Sequence, residues 1–560
     1  MVKDQLLRDL KKAVKDLGYQ ANDIVCAIPP TPAFGDYSSN IALQLAKPEI
    51  KNGKQSPIDI ANKIKGKLDK TNYLEKVEVA GGGFLNFFIK GEVLVKNLTQ
   101  VTQIPKDEKP QKLMVEYGHA NILKEVHLGH LRTFILGESL ARILGGAGHK
   151  VFRANYQGDI GLHVAKAIWG IEKLGLPSKE LNFEEKAEYL GKAYAQGSLD
   201  YEESSEAKQK INQINVSLYR KEPQFQELYK LGRKWSLEYY DEVYKILGIK
   251  YDKLFFESEV YSRGEQLVLE NTGKIFEKSD GAVIFPGEKY GLHNRVFISS
   301  AGVPTYEAKD LGLSEKQFET FPFDRDIHVV GSEQEGYFKV VIKAIEMVLP
   351  KLSGREFHLS YGMVGLKEGK MSSRTGEVVT VNELLNMVAE KVREVVKESR
   401  LEVNREVVRS VAMGAIKFTY LKFAPSSNLV FDLQQSVSLQ GDSGPYLQYT
   451  HARIRSVLRE AGEGGSELRM ENLELEVEER NLARRLEYFG SVAGQAGKEY
   501  RPNLICEYLL DLAKDFNLFY QKHRIIASEK KDLRLALTQA TGEVLKTGLE
   551  LLGIEAPERM

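Results

Sequence analysis

Residues 112–156 constrain the fold more than any other stretch of the chain. Residues 113–117 read as a strand, 128–144 as a helix and 151–156 as a second strand. Strand runs return at 282–285, 295–299 and 327–330. Strands that alternate with helices suggest a parallel sheet of the doubly wound type. Between about residues 177 and 270 the chain is charged and helix-like, which predicts an insertion dividing the sheet domain into two halves.

The flanks differ from this centre. Leu6, Leu7, Leu10, Val14 and Leu17 fall at helical spacing with charges between them, and residues 41–47 predict a second helix. Strand-like runs follow at 77–79 and 84–89, with Gly81, Gly82 and Gly83 marking the turn between them. A polar stretch with Pro105 and Pro110 reads as a linker. After about residue 385 nearly everything has helical period, except an acidic, glycine-rich segment at 462–480 that reads as a solvated loop or short helix. The fold class is therefore α/β and multidomain: an α/β domain over 1–104, a sheet domain over 105–385 with its helical insertion, and an all-helical domain over 386–560. At roughly 100–200 residues per domain, 560 residues agree with three or four.

Composition excludes some classes of function. No window holds the roughly 18 apolar residues a membrane helix needs, and the N-terminal helix lacks the apolar core of a signal peptide. Cys26 and Cys506 supply neither a disulfide framework nor a four-ligand zinc site. A cytoplasmic enzyme is the expectation. The 78 basic and 78 acidic side chains cancel, so no global field announces a nucleic acid, although a local basic strip suffices to neutralise phosphates.

Two motifs carry chemistry. Lys124-Glu125-Val126-His127-Leu128-Gly129-His130 lies between a strand and a helix, with His127 and His130 on one face of the first helical turns. Imidazole donors at a helix N-terminus suit phosphate oxygens, and Gly129 leaves room for a purine ring against the backbone. A pair of helix-capping histidines or an HxxH metal pair would read the same way. The second motif, Gly369-Lys370-Met371-Ser372-Ser373-Arg374-Thr375-Gly376, joins cations, hydroxyls and glycines in one loop, as a closing triphosphate clamp requires. It is not a P-loop, because Met371 follows the lysine where Ser or Thr belongs. Alone it also reads as a basic surface loop.

Together, some 240 residues apart on a strand–helix alternation, the two motifs resemble the HIGH and KMSKS signatures of class I aminoacyl-tRNA synthetases. VEYGHANILKEVHLGHLRT, NYQGDIG, TYEAKDLG, VVGSEQ and GMVGLKEGKMSSRTG resemble, in order, blocks of the arginyl-tRNA synthetases. FGDYSSNIALQLAK resembles that family's N-terminal tRNA-binding domain, and SGPYLQYTHARIRSVLR and RLALTQATGEVLKTGLELLGIEAPERM its helical anticodon-binding domain.

The resemblance implies a Rossmann-like catalytic domain that ligates L-arginine to tRNA(Arg) through an arginyl-adenylate. ATP with Mg2+ is a substrate, no tightly bound protein-ligated metal is expected, and the working form is a monomer. A catalytically silent tRNA-binding paralogue is the alternative. Lys124, His127, His130 and Lys370 would hold the triphosphate, and Gly129, Met363, Val364, Met371 and Ser372 would complete the ATP site. Glu116 and Asn121 would grip the backbone of arginine, and Tyr306, Asp310 and Gln334 its guanidinium end. Phe84 and Asn86 would read the tRNA elbow, and Tyr446, Tyr449 and Arg453 the anticodon side. Unaided by the resemblance, Tyr306 and Asp310 are an i, i+4 surface pair, Glu116 an outward strand-end residue, Phe84 and Asn86 parts of a strand, and the two tyrosines helix packing. The motifs depart from the family in two places. The approach to His127 is Lys124-Glu125 rather than proline-rich, and Ser373 stands where the second loop lysine belongs.

Overall fold

The computed structural model describes residues 2–21, 24–29, 31–46, 56–367, 379–398, 404–462 and 473–560. At the N-terminal end, helices Val2–Asp16 and Pro57–Leu68 cover a three-stranded antiparallel sheet. In that sheet Phe84–Ile89 pairs with both Tyr37–Ser39 and Leu74–Ala80. Leu6, Leu10 and Val14 are buried, as their helical spacing predicts.

The centre is a five-stranded, wholly parallel sheet. Its strands are β1 (Lys112–Glu116), β2 (Lys150–Gln157), β3 (Lys253–Phe256), β4 (Arg325–Gly331) and β5 (Glu356–Tyr361), in the spatial order β5-β4-β1-β2-β3. Helix α1 (Leu128–Gly146) connects β1 to β2, while α2 (Tyr306–Thr320) and α3 (Glu335–Val348) flank β4. Strand order reverses between β1 and β4, the place where open α/β sheets bind ligands.

Two expectations are corrected. The stretch expected to be a helical insertion does contain the long helices Phe183–Glu203, Ser205–Tyr219 and Gln226–Leu247, but its end forms β3 of the main sheet. Lys253–Phe256 is only four residues long, too short to stand out beside those helices. The strands expected near 282–285 and 295–299 exist but belong to a separate antiparallel sheet, Glu277–Ser279, Ala282–Phe285 and Arg295–Ile298. Their short connections permit antiparallel pairing and leave no length for a helical crossover.

Past the sheet, helix Val381–Glu398 runs through the expected boundary at 385/386, and among the described residues five further long helices follow. Among them Leu429–Phe431 pairs in parallel with Val364–Leu366. Helix α1 is buried nearly all round, being packed between the sheet and these helices. Polar side chains fix it there. Arg132 donates to the carbonyl oxygens of Tyr420, Ala424, Pro425 and Ser427, Ser139 Oγ to Leu551 O at 3.1 Å, and Arg142 to Glu550 O at 3.2 Å. Beside them, buried Lys417 donates to Leu247 O at 2.7 Å and to Gly553 O. No helix among the described residues is long and apolar enough to cross a membrane.

Candidate active site

The strand–helix turn after β1 is built around two histidines. His127 is the N-cap of α1, with extended backbone (φ −116°, ψ 174°), and its Nδ1 accepts the Gly129 N–H at 3.1 Å. His130 Nδ1 accepts the His127 N–H at 3.3 Å, so the two side chains form a reciprocal cap. Both rings are thereby fixed with their proton on Nε2, the tautomer that donates to an anion. Burial and the neighbouring Lys124 ammonium push His127 below its ordinary pKa. Burial, His127 and Lys124 push His130 down to about 3. Both are neutral donors at neutral pH. A Cβ on Gly129 would stand 3.0 Å from the His127 ring, so the glycine keeps that ring in place.

The second motif falls outside the described residues, and Lys370, Met371 and Ser372 with it. The segment just C-terminal to it lies against the histidine terminus: Leu128 N–H donates to Val379 O, and Val381 N–H to Val126 O. The chain leaving the second motif thus returns to the first. Met363 is exposed, with its backbone bonded to Asn428 and Leu429, and Val364 is buried in its short strand. Lys124 does not point along α1. Its Nζ lies 4.2 Å from the ring centre of Tyr194 on the inserted helices.

Beyond the ends of β1 and β4 opens a pocket of about 380 Å³ whose lining includes Glu116, Asn121, Tyr306, Asp310 and Gln334. All five residues expected to hold the amino acid therefore share one cavity. Glu116 is buried rather than outward. Its Oε1 lies 3.0 Å from His328 Nδ1 and its Oε2 accepts from Gln317. Tyr306 opens α2, and Asp310, one turn later, accepts the Tyr337 hydroxyl at 2.7 Å. Burial pushes the Asp310 carboxyl up to about 8, although that hydrogen bond opposes the shift. A Cβ on Gly158 would stand 2.2 Å from Asn121 Oδ1, so only glycine lets these loops close on each other. The Asn121 loop is strained, with left-handed φ at His119 (50°) and Leu123 (63°). Ser236 of the insertion holds it by accepting the Leu123 N–H at 2.8 Å.

Charge separates the carboxylates of this pocket. Glu257 pairs with Lys309 at 2.6 Å and Glu307 with Arg295 at 3.0 Å. Glu116 and Asp310 have no lysine or arginine partner among the described residues. An incoming molecule with two cationic ends would satisfy both.

Residues 92–433 match the family model described as tRNA synthetases class I (R), catalytic domain. Residues 2–89 match the arginyl tRNA synthetase N terminal domain, and 447–560 the DALR anticodon binding domain. The chain belongs to the class I arginyl-tRNA synthetase family. An arginine–tRNA ligase of Phocaeicola vulgatus is 33% identical over 92% of either chain, and one of Halothermothrix orenii 31% identical over 100% and 99%. The arginyl-tRNA synthetase structure of Thermus thermophilus superposes with a TM-score of 0.84 at 28% identity, covering the whole of both chains.

Two further groups of this family member were expected at RNA-facing positions. Phe84 is exposed, while buried Asn86 accepts from Ser38 Oγ at 2.9 Å. Both line an apolar groove of about 560 Å³ with Val25, Ile28 and Phe34. Arg453 donates to Asn517 at 2.8 Å and to the Tyr449 hydroxyl at 3.2 Å, and Asn517 also donates to the Tyr446 hydroxyl. The three expected residues thus form one bonded cluster on the helical domain.

Sequence reading missed the Lys309–Glu257 and Arg295–Glu307 pairs and the group beneath Glu116: Asp326, His328 and Glu356, whose potential metal-ligand atoms lie within 4.8 Å of one another. A signal existed. Asp326 and His328 alternate with Ile327 and Val329 in a strand that a parallel sheet buries on both faces.

Proposed function

We propose that the Glu116–Asp310 pocket takes L-arginine and the His127–His130 terminus takes ATP with its Mg2+, for ATP-dependent ligation of arginine to tRNA(Arg) through an arginyl-adenylate. One observation carries this reading most: of the pocket carboxylates, the two without a lysine or arginine partner among the described residues are the two whose positions suit an α-ammonium and a guanidinium. A guanidinium needs a carboxylate and flanking aromatic or carbonyl groups, which Asp310, Tyr306 and Gln334 offer. Asn121 faces the substrate backbone beside Glu116.

With arginine so held, its carboxylate is presented to the α-phosphorus of ATP lying across the α1 terminus. The neutral imidazoles donate from Nε2 to phosphate oxygens. Gly129, Met363 and Val364 border the adenosine, and Lys370, Met371 and Ser372 close over it. Lys124 leaves Tyr194 to supply the charge that Ser373 lacks. Catalysis is then positioning and charge stabilisation. Phe84 and Asn86 receive a tRNA base by stacking and hydrogen bonding, and the Tyr446–Tyr449–Arg453 cluster faces the anticodon arm. The N-terminal domain divides from the catalytic domain at about 104, the helical domain begins with the helix Val381–Glu398, and the enzyme works as a cytoplasmic monomer.

Charging of a bulk tRNA pool with each of the twenty amino acids tests the reading. Arginine alone should be esterified. Equal inactivity with all twenty would favour a silent tRNA-binding paralogue.

A further inference from the structure

The floor of the arginine pocket contains a buried polar group with no part in the proposed reaction. Parallel register sets Glu116 of β1 beside His328 of β4, and Asp326 of β4 beside Glu356 of β5. His328 is wedged between two carboxylates, with Nδ1 at 3.0 Å from Glu116 Oε1 and Nε2 at 2.7 Å from Glu356 Oε2. A neutral imidazole has one N–H and cannot donate to both. An imidazolium between two carboxylates satisfies both contacts, and the two flanking acidic groups favour that charged form. All four side chains are buried.

A metal ion shared by Asp326, His328 and Glu356 fits the distances less well. Two ligand atoms each about 2.1 Å from a tetrahedral zinc stand roughly 3.4 Å apart. The 2.7 Å between His328 Nε2 and Glu356 Oε2 is instead that of a charged hydrogen bond.

We infer that His328, braced from behind by Glu356, is a positioning and specificity residue that holds Glu116 in the orientation in which it receives the α-ammonium of the amino acid. The inference deepens the proposed pocket and rests on the role given there to Glu116. Gln317 of α2 fixes the second Glu116 oxygen. A carboxylate has about four acceptor sites, so the substrate still finds some free. The groups facing this centre are Glu116 on β1, His119 after it, Asp326 on β4, Glu356 and His358 on β5, and Asp310 and Gln317 on α2. Burial alone would raise Glu116, yet the charge and hydrogen bond of His328 bring it below the ordinary carboxylate range. Burial would lower His328, but Asp326, Glu116 and Glu356 raise it well above 6.5. Burial drives Asp326 well above its usual value, and neither of its oxygens has a hydrogen-bond partner.

The test compares two ligands by calorimetric titration of the full chain: arginine and 5-guanidinopentanoate, which is arginine without its α-ammonium. Both carry the guanidinium, so Asp310 affects them alike and their affinity ratio isolates Glu116. In the wild type this ratio should favour arginine and stay constant between pH 6 and 8. His328→Leu should weaken arginine at least about 30-fold and the analogue less than about threefold. The remaining ratio should then rise with pH, as buried Glu116 loses its imidazolium and must shed a proton to bind. Glu356→Leu should shift the ratio the same way by a smaller factor, and His328→Gln, which restores a neutral donor, should recover part of it. These two variants carry the test if His328→Leu does not fold. Equal weakening of both ligands would show that His328 is only structural, and an unchanged ratio would overturn its hold on Glu116. Glu116→Gln with full discrimination would instead overturn the assignment of Glu116, so the two failures are distinguishable.

Discussion

Arginine should expel a proton when it binds. The Asp310 carboxyl is pushed to about 8 by burial in the pocket wall, so at pH 7 about nine-tenths of empty pockets hold it neutral. A guanidinium pairs with the carboxylate and not with the acid. The proton must leave, and affinity must improve as pH rises towards 8 and level off above it. The expected slope is about tenfold per pH unit below 8, with close to one proton released per arginine at pH 7. Calorimetric titration at pH 7 in buffers of different ionisation enthalpy counts that proton, and a series from pH 6 to 9 gives the slope. Asp310→Asn removes both effects. It also leaves the guanidinium without its charged partner, a loss of about 2–5 kcal/mol that neutral citrulline should largely escape. Affinity independent of pH between 6 and 8 would refute the reasoning, because Asp310 would then be ionised already or would not meet the guanidinium.

Three other outcomes are expected. Lys124→Ala should slow arginine activation by about 10²–10³ with little change in the KM for arginine, and adding Ser373→Lys should recover part of the rate. Near-normal activation by Lys124→Ala alone would leave the lysine as a partner of Tyr194 only. Arg453→Glu should raise the KM for tRNA most at low salt, and unchanged charging kinetics at every salt concentration would turn Arg453 away from the RNA. Burial holds His130 and His163 at about 3 while the unfolded chain protonates near 6.5, so each weakens the fold in acid, whereas Asp310, held at about 8, acts in the opposite direction. The stability each histidine contributes is present above 6.5 and lost towards 3 at about 1.4 kcal/mol per pH unit, which urea midpoints of the wild type and His163→Gln at pH 7 and 5 will read by difference. His163→Gln should remove one share of that slope.

Periodicity and motif order made the architecture legible, and the resemblance made the pocket so. Glu116, Asn121, Tyr306, Asp310 and Gln334 come from separate places in the chain and line one cavity. Local pattern could not show that Glu116 is buried, because a strand-end residue looks the same whether it faces solvent or a neighbouring strand. Only the β1–β4 register, formed across more than 200 residues, puts His328 beside it. For the same reason β3 was hidden among inserted helices and the 295–298 strand was grouped with the wrong sheet: strand pairing is a non-local fact. The resemblance puts Lys124 at the triphosphate, whereas its Nζ lies over Tyr194, a residue of the insertion far off in sequence.

The carbonyl oxygens of residues 550–553 that anchor α1 and Lys417 also set an order of events during synthesis. The Ser139–Leu551 bond joins residues 412 positions apart, so the ribosome makes the catalytic helix long before its acceptor exists. Until then the Ser139 hydroxyl and the Arg142 and Lys417 donors that later meet this segment must stay hydrated, although Arg142 can already pair with Glu138 and Lys417 with Leu247 O. The sheet can assemble while the chain is still growing, but the seating of α1 waits for the 550–553 segment. A nascent chain stalled before that point would carry a loosely held nucleotide terminus and no competent synthetase.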